Sequence, residues 1–517
     1  MNANRAVVAH PFLLPLYSVL AFYAYNIGEM SLTDLLPIAV AVCGGSILLF
    51  GLSWLVLRNA IKAGLVVTAI LLIVLFYGHI SQALDVLFGY HLRYRLVFPL
   101  LILLLSCVVL ILAAKSTRRK NATTILNWMT AVLVLMPMIS IVEHDVFSTD
   151  TNAGVVEDVE LMRLHQPVHR PHVFYLILDR YAANRTLRDQ YQFDNQAFED
   201  FLSAKGFFIA TDSYANYLKT AQSLAATFDM RYLDELAKEI GSGSSDLGRV
   251  YPMLTGRHRV LGVFEKIGYQ YVHMGSWWEP TRHHIRADES YNITSLLTSS
   301  EAIIAYSKGT VKPFVDQQVL PLLNIDTSNI VNEQCRRVPF QFEALKNIVD
   351  DTTPKFVFAH FLIPHDPYVF NENGRCMTWA EADERTGKEN YIGQVKYVNQ
   401  KIHELVDVLL SQENKPIVII QADEGPFPER YIENQMNFDW RQASAAEIQK
   451  KFRILNAMYL PGVANEKFYN SISPVNTFRL VFNEYLGADL PLLEDRSYAF
   501  IDGHHKFDFF EVTEKVR

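Results

Sequence analysis

Two short apolar segments of this chain lead directly into carboxylates. The segment His172–Leu178 ends at Asp179. The segment Pro416–Ile420 runs through a Gln and an Ala into the adjacent pair Asp423 and Glu424. Carboxylate oxygens suit a hard divalent cation such as Mg²⁺ or Mn²⁺. Adjacent carboxylates repel each other, so the pair indicates either a bound metal or simple solvent exposure in a turn.

Histidines follow a third apolar segment. Lys355–Ala359 ends at His360, and His365 lies just beyond it. In open α/β sheets, ligands bind in the crevice outside the carboxyl ends of the strands. Three segments that deliver carboxylate, imidazole and carboxylate to one edge therefore predict a convergent polar site. Taken singly, an Asp after a strand is more often a turn former or a helix cap.

A hydroxyl nucleophile is available where a helix is predicted to begin. The predicted helix starts near Thr220, directly after Lys219, and runs to about Leu236. Unpaired N–H groups and the positive end of the helix dipole favour an alkoxide or a phosphate there. Ser223 lies one turn further along on the same helix face. Because Ser and Thr at such positions more commonly cap the helix, the residue types leave both roles open.

The elements that must position these side chains alternate in type. From Pro171 onward, short β-branched and aromatic segments alternate with longer amphipathic ones. This pattern predicts an α/β domain with a mostly parallel central sheet. The three apolar segments are almost continuously apolar, which is typical of strands buried on both faces.

The first 146 residues contain five runs without a charged residue. Each run has about the 20 residues that a helix needs to cross the hydrocarbon core of a membrane. We therefore predict a transmembrane domain of five helices over residues 1–146. The runs are Ala6–Gly28, Leu35–Leu57, Ala63–Leu84, Leu96–Ala114 and Asn121–Val142.

Basic residues between the runs predict the orientation. If the runs alternate in direction, most of the basic residues lie on one side, which is then the cytoplasmic side. The carboxy-terminal domain is accordingly predicted to lie outside the cytoplasm. The residues on the basic side are Arg5, Arg58, Lys62, Lys115, Arg118, Arg119 and Lys120, against Arg93 and Arg95 on the other.

The remaining residues divide into a connector and an outer domain. Residues 147–170 are mostly polar with Pro and Gly, which is typical of a juxtamembrane connector. The outer domain is predicted over residues 171–517. The chain after residue 146 carries a formal charge of −12, which argues against a nucleic-acid partner. Cys335 and Cys376 lie where a disulfide can persist, but their spacing does not show whether they pair.

Five short motifs of the outer domain occur in a recognisable order. With the membrane runs before them, they resemble the alkaline phosphatase/sulfatase superfamily. The layout is most similar to its membrane-anchored branch, which contains lipoteichoic acid synthases and lipid A phosphoethanolamine transferases. The motifs are Leu178–Tyr181, Lys219–Thr220, the segment 360–367 (His-Phe-Leu-Ile-Pro-His-Asp-Pro), Asp423–Pro426 and Ser473–Arg479.

The resemblance implies a ligand set and a nucleophile. Asp179 stands where the family has its first acidic metal ligand, and Asp423 where its Asp-His-Gly motif supplies another. Thr220 stands where the transferases have a nucleophile that is itself a ligand. The chain departs from the family at Glu424, where histidine is usual. With Glu424 as a ligand the site is all-oxygen, which favours Mn²⁺ or Mg²⁺ over Zn²⁺.

The resemblance also implies groups that bind the substrate, namely His365, His360, Lys219 and Arg180. A sulfatase reading is not supported, because the formylglycine precursor requires a Cys/Ser-x-Pro-x-Arg motif. The sequence around Thr220 contains no such motif.

The function implied is that of a multi-pass enzyme of the bacterial cytoplasmic membrane. It would move a phosphorylated alcohol, of phosphoglycerol or phosphoethanolamine type, from a phospholipid donor to an envelope glycan or lipid. A phospho-threonine at Thr220 would be the intermediate. One alternative is a phosphodiesterase or phosphatase that uses water as the acceptor at the same site. Another is a non-catalytic envelope scaffold, motivated by the missing histidine at Glu424.

Overall fold

A computed structural model describes most of the chain as two compact units. The first unit comprises Met1–Thr149 and Thr294–Asn329, and the second comprises Asp150–Ile293 and Ile330–Arg517. Most of the predicted connector, together with the loop residues Arg5, Arg93 and Arg95, lies outside the described residues. The described residues are 7–88, 97–147, 164–165, 170–256, 258–293, 300–312, 315, 333–348 and 353–517.

The apolar runs of the first unit form helices. Three stretches are long and apolar enough to cross a membrane among the described residues, namely Leu32–Leu57, Ala60–Ser81 and Ser116–Glu143. The first and fourth helices have 16 and 17 residues, shorter than the runs that predict them, so five crossings stay a prediction. The helices are α1 His10–Tyr25, α2 Leu36–Leu57, α3 Ala60–Phe88, α4 Val97–Ala113 and α5 Ser116–Phe147.

The surface of the first unit is apolar. Leu48 in α2, Leu105 in α4 and Trp128 in α5 all leave large side chains exposed. Soluble proteins rarely expose so much contiguous apolar surface, whereas lipid tails accept it. Because a helix satisfies its own backbone hydrogen bonds, such helices are stable in a bilayer. The first unit therefore has the surface of a membrane domain.

The second unit contains a seven-stranded sheet with β1 at its centre. The strand order is β2-β7-β6-β1-β5-β3-β4. The pairs β1–β5, β1–β6, β3–β5 and β3–β4 are parallel, and the pairs of β7 with β6 and β2 are antiparallel. The predicted mostly parallel sheet is confirmed. The strands are β1 Val173–Leu178, β2 Phe208–Ile209, β3 Gln270–Met274, β4 Glu289–Tyr291, β5 Lys355–Phe361, β6 Ile417–Gln421, β7 Asn456–Tyr459, and the separate pair β8 Tyr498–Phe500 and β9 Phe509–Glu511.

Fourteen further helices follow α5 among the described residues and are numbered here in chain order. In chain order they are α6 Asn184–Tyr191, α7 Gln196–Ala204, α8 Thr220–Asp229, α9 Asp234–Ile240, α10 Pro252–Thr255, α11 Arg259–Lys266, α12 Ser300–Lys308, α13 Gln334–Asn347, α14 Trp379–Asp383, α15 Gly387–Leu410, α16 Glu429–Glu433, α17 Ala445–Phe452, α18 Pro474–Leu486 and α19 Thr513–Val516.

Both faces of the central sheet are buried under helices, which explains the continuous apolar strands. Phe174 and Leu176 of β1 belong to an apolar cluster that includes Val398 of α15. Tyr175, between them in β1, faces the opposite way into a cluster that includes Phe228 of α8. Since successive side chains of a strand point to opposite faces, a strand covered on both sides must be apolar at every position.

One segment that the sequence places in the outer domain belongs to the first unit. The Tyr306 hydroxyl of α12 is 2.8 Å from the Ser18 hydroxyl of α1. The Gly78 N–H donates to the Gly309 carbonyl oxygen over 2.9 Å. A Cβ at Gly78 would overlap the Lys308 carbonyl oxygen, so this close approach requires glycine. The outer domain is thus interrupted, which the predicted range 171–517 does not anticipate.

A disulfide joins Cys335 and Cys376, a pairing that the sequence left open. Their Cα atoms are 5.7 Å apart, within the usual range for a disulfide. The bond ties the start of α13 to the segment just before α14. Disulfides persist mainly in oxidising compartments, so this pair suits a domain outside the cytoplasm.

Candidate active site

The carboxyl ends of three neighbouring strands bring three predicted site residues together. Asp179 directly follows β1, His360 is near the end of β5, and Asp423 lies just beyond β6. Since β1 is hydrogen-bonded to both β5 and β6 in parallel register, the three strands end at the same edge of the sheet. The edge position explains why residues so distant in sequence converge.

The geometry of this cluster fits a metal ion. One ligand atom from each of Asp179, His360 and Asp423 lies within 4.8 Å of the others, and all three side chains are buried. The His360 Nε2 and an Asp179 carboxylate oxygen are 3.6 Å apart. Asp179 Oδ1, His360 Nε2 and both Asp423 carboxylate oxygens have no hydrogen-bond partner among the described residues. Buried polar atoms without partners are costly, and a coordinated cation would satisfy all of them.

The two carboxylates of the cluster differ in pKa. Burial opposes the ionisation of Asp179, but the charges of His365 and His360 outweigh it and hold the pKa of Asp179 well below its usual range. Burial raises the pKa of Asp423 well above its usual value, and the charges of Asp179 and Glu424 raise it further. Burial and the negative charges of Asp179 and Glu424 therefore disfavour ionisation of Asp423, and a cation bound beside it would favour the ionised carboxylate.

The orientation of His360 is held by a residue that sequence reasoning missed. His360 Nδ1 is 2.8 Å from the Thr281 hydroxyl, which leaves Nε2 facing the carboxylates. The Thr281 hydroxyl is also 2.8 Å from the Ser276 hydroxyl. Thr281 ends a short 3₁₀ turn, Glu279–Thr281. No motif or spacing in the sequence marks it, because its contact with His360 arises only from the fold.

We expect Thr281→Val to weaken binding of a divalent cation. Loss of the hydrogen bond would let the His360 ring rotate, and the loss of such a supporting bond typically costs about 10–100-fold in metal affinity. Titration of the full-length protein with Mn²⁺, followed by calorimetry, measures the change. Thr227→Val is the matched control, since its buried hydroxyl donates to the Ser223 carbonyl oxygen in α8. Equal losses in both variants would show a general effect on folding.

Thr220 and Ser223 have different surroundings. Thr220 is the first residue of α8, and the residue before it caps the helix with no side-chain hydrogen bond. The Thr220 hydroxyl lies close enough to Asp423 to favour its ionised form, although no hydrogen bond of ordinary geometry joins them. The buried Ser223 hydroxyl instead donates to the Tyr217 carbonyl oxygen over 3.1 Å. Of the two, Thr220 is the hydroxyl beside the candidate metal centre.

Glu424 is not part of the three-residue cluster. Its Oε1 lies 2.8 Å from the Lys451 Nζ and 3.3 Å from the Arg180 Nε. His360 takes the third position in the cluster, so the group that the structure brings together includes an imidazole, and the preference for Mn²⁺ or Mg²⁺ stays a prediction. The assignment of Glu424 as a ligand stays a prediction. Lys451, which lies in α17, was not predicted, since nothing in its helix distinguishes it from a surface lysine.

Two other predicted residues, Arg180 and Lys219, contact the ring of Phe427. The Phe427 ring centroid is 4.6 Å from the Arg180 guanidinium carbon and 4.4 Å from the Lys219 Nζ. Arg180 also forms an ion pair with Asp366. His365 is near enough to Asp179 for its charge to lower the carboxyl pKa, and 17% of its side chain is exposed. Two positive side chains, those of Arg180 directly after Asp179 and Lys219 directly before Thr220, are thus available to bind a phosphate next to a metal.

Comparisons with known proteins find structures only. No protein-family profile matches the chain, and no curated protein matches it. One similar structure is the C-terminal periplasmic domain of EcEptC from Escherichia coli, with 10% identity, 66% of this chain and 93% of that chain covered, and a TM-score of 0.40.

Two further structures represent different activities. Lipooligosaccharide phosphoethanolamine transferase A (EptA) from Neisseria meningitidis has 14% identity, with 92% of this chain and 95% of that chain covered and a TM-score of 0.39. A 2-O GAG sulfatase has 15% identity, with 62% of this chain and 72% of that chain covered and a TM-score of 0.38. The neighbours include both phosphoethanolamine transferases and sulfatases. Because these TM-scores are low, the case for a function comes from the site itself.

Proposed function

We propose that this protein is a metal-dependent phosphotransferase of the bacterial cytoplasmic membrane. It moves a phosphorylated alcohol, of phosphoglycerol or phosphoethanolamine type, from a phospholipid to an envelope glycan or lipid. The observation that carries the proposal is the buried cluster of Asp179, His360 and Asp423 beside the Thr220 hydroxyl.

The proposed metal is held by the residues whose buried atoms lack partners. Asp179, His360 and Asp423 supply two carboxylates and an imidazole, and Thr220 adds a hydroxyl oxygen. A divalent ion bound there would act as a Lewis acid that lowers the pKa of a hydroxyl and screens phosphate oxygens. Mn²⁺ or Mg²⁺ remains the proposed ion, but an imidazole ligand makes Zn²⁺ equally compatible with the donor set.

Thr220 is the proposed nucleophile. Its oxygen forms a bond to the phosphorus of the donor while the bond from phosphorus to the diacylglycerol oxygen breaks. The proton of the hydroxyl ends on diacylglycerol, which stays in the membrane. The oxygen of an acceptor hydroxyl then bonds to the phosphorus while the bond from phosphorus to the Thr220 oxygen breaks, and the proton of the acceptor ends on Thr220. Because Thr220 begins α8, a phosphate bonded to it would lie near the unpaired N–H groups of the first helical turn.

Positive side chains around the cluster are proposed to hold the phosphate. Lys219 directly precedes the nucleophile, and Arg180 directly follows Asp179. His365 and His360 lie nearby, with His360 taking part in the cluster itself. A lysine or arginine beside a phosphodiester neutralises charge in both the ground state and the transition state, and an aromatic face helps to fix its position.

The location of the site outside the cytoplasm is also proposed. The apolar surface of the first unit and the Cys335–Cys376 disulfide support a membrane protein with an outer domain in an oxidising compartment. An enzyme whose donor and lipid product both remain in the bilayer benefits from membrane helices, whereas one that acts on soluble esters does not.

Product analysis tests this function. The full-length protein is reconstituted in vesicles of phosphatidylglycerol or phosphatidylethanolamine, and the release of diacylglycerol is followed with Mn²⁺, Mg²⁺ or Zn²⁺. We expect release that a chelator abolishes, with the labelled head-group phosphate recovered on an added envelope glycan or lipid. Recovery of the label in water alone would indicate the phosphodiesterase or phosphatase. Absence of both metal binding and release would indicate the scaffold.

A further inference from the structure

The carboxylate next to Asp423 is held by a lysine. Glu424 is buried, and its Oε1 accepts from the Lys451 Nζ over 2.8 Å. The Arg180 Nε reaches the same oxygen from 3.3 Å. The second oxygen, Oε2, is buried and has no partner among the described residues. Glu424 is therefore bound on one oxygen by cations of the protein, although it directly follows a candidate metal ligand.

Lys451 is fixed on several sides. Its Nζ donates to the Gly425 carbonyl oxygen over 2.9 Å and lies 3.2 Å from the Phe427 ring centroid. The Gly425 N–H in turn donates to the Lys451 carbonyl oxygen over 2.8 Å. A Cβ at Gly425 would overlap the backbone of α17, so the motif after Asp423 needs glycine to reach this lysine. None of the Lys451 side chain is exposed.

The ion pair between Glu424 and Lys451 changes which side chains are available as ligands for a bound cation. Free of Lys451, Glu424 would add a third carboxylate near Asp179 and Asp423, since it directly follows Asp423 and its Oε1 contacts Arg180, which directly follows Asp179. The number of carboxylate ligands is a main determinant of the affinity of a site for hard cations. Paired with Lys451 and Arg180, Glu424 has its Oε1 occupied by side chains of the protein, and the imidazole of His360 completes the cluster.

We infer that Lys451 is a positioning residue that withholds Glu424 from the bound cation and leaves Asp179, His360 and Asp423, with the Thr220 hydroxyl, as its ligands. The inference rests on the metal dependence of the proposed function. Histidine is usual at the position of Glu424 in the family that the sequence resembles. A carboxylate suits this position here because its partner is Lys451 of the protein itself.

Titration of the full-length, detergent-solubilised protein with Mn²⁺ alone tests the inference. We expect Lys451→Met to bind Mn²⁺ about tenfold more tightly than the unchanged protein, because the freed Glu424 becomes available as a ligand. Its melting temperature without metal should fall, since Glu424 is then a buried charge without its main partner, and Mn²⁺ should restore it. Lys450→Met is the matched control, because the neighbouring Lys450 pairs with the exposed Glu429 instead.

A second variant, Glu424→Gln, tests the inference even if Lys451→Met does not fold. We expect Glu424→Gln alone to leave Mn²⁺ affinity unchanged, and the double variant to lose the gain of Lys451→Met. A loss of about tenfold or more in Glu424→Gln would overturn the inference, because it would make Glu424 itself a ligand. Unchanged affinity in a folded Lys451→Met would overturn it as well.

The proposed function can fail separately. The expected Mn²⁺ affinities together with normal turnover by Thr220→Ala would retain the role of Lys451 and remove the transferase mechanism. No Mn²⁺ or Zn²⁺ binding by the unchanged protein would contradict both the role of Lys451 and the metal-dependent transferase mechanism. Binding by the unchanged protein with no response to the Lys451 and Glu424 variants would remove only the role of Lys451.

Discussion

Replacement of Thr220 by alanine should abolish turnover while leaving the outer domain folded. Without the hydroxyl there is no oxygen to form the phospho-enzyme, and loss of a nucleophile in other covalent enzymes lowers kcat by about 10⁶-fold. The cost in the free energy of unfolding should stay below about 1 kcal/mol, because the helix cap belongs to the preceding residue. Diacylglycerol release and thermal melting of the reconstituted protein measure the two effects.

Two variants serve as controls for this change. Thr220→Ser should keep partial activity, because a hydroxyl remains but the methyl group that restricts its rotamers is lost. Ser223→Ala should turn over normally, since its buried hydroxyl bonds to the Tyr217 carbonyl oxygen, and should lose about 1 kcal/mol of stability. Normal turnover by Thr220→Ala would show that the mechanism is wrong and would leave only the fold assignment.

Asp423→Asn should abolish metal binding and activity together. A neutral amide is a poorer ligand for a hard cation, and loss of a ligand should cost more than the roughly 10–100-fold of a supporting residue. The domain without metal should be at least as stable as before, because burial and the charges of Asp179 and Glu424 already disfavour an ionised Asp423. Mn²⁺ titration and melting with and without metal measure both effects.

Asp179→Asn tests the second carboxylate of the same cluster. Asp179 is stabilised as a carboxylate by His365 and His360, so its replacement should lower metal affinity and also reduce stability. Asp439→Asn is the matched surface control, since Asp439 pairs with the exposed Arg441. If Asp423→Asn unfolds the domain and metal has no effect on the unchanged protein, these carboxylates are structural.

The central sheet could be predicted because a strand buried on both faces must be apolar at almost every position, which is visible in the sequence. The segments that became β1, β5 and β6 are apolar at almost every position, and each is followed by polar side chains at the same edge. Strand ends that meet at one edge explain why Asp179, His360 and Asp423 could be placed together before their distances were known.

The direction of neighbouring side chains could not be predicted. Asp423 and Glu424 are adjacent in sequence, yet Asp423 faces the cluster and Glu424 contacts Lys451. Thr281 and Lys451 come from distant turns and helices, and their roles depend on contacts that no spacing records. The return of α12 to the first unit depends on a close approach at Gly78 and Gly309, which sequence periodicity does not reveal.

Intact-protein mass spectrometry after incubation with donor vesicles tests the central claim most directly. The full-length protein is incubated with phosphatidylglycerol or phosphatidylethanolamine vesicles and the metal that supports release, without an acceptor, and is then digested for mapping. The account predicts an added phospho-alcohol on Thr220 that disappears when an acceptor is supplied. An adduct on Ser223, or continued diacylglycerol release with no adduct on the protein, would contradict it.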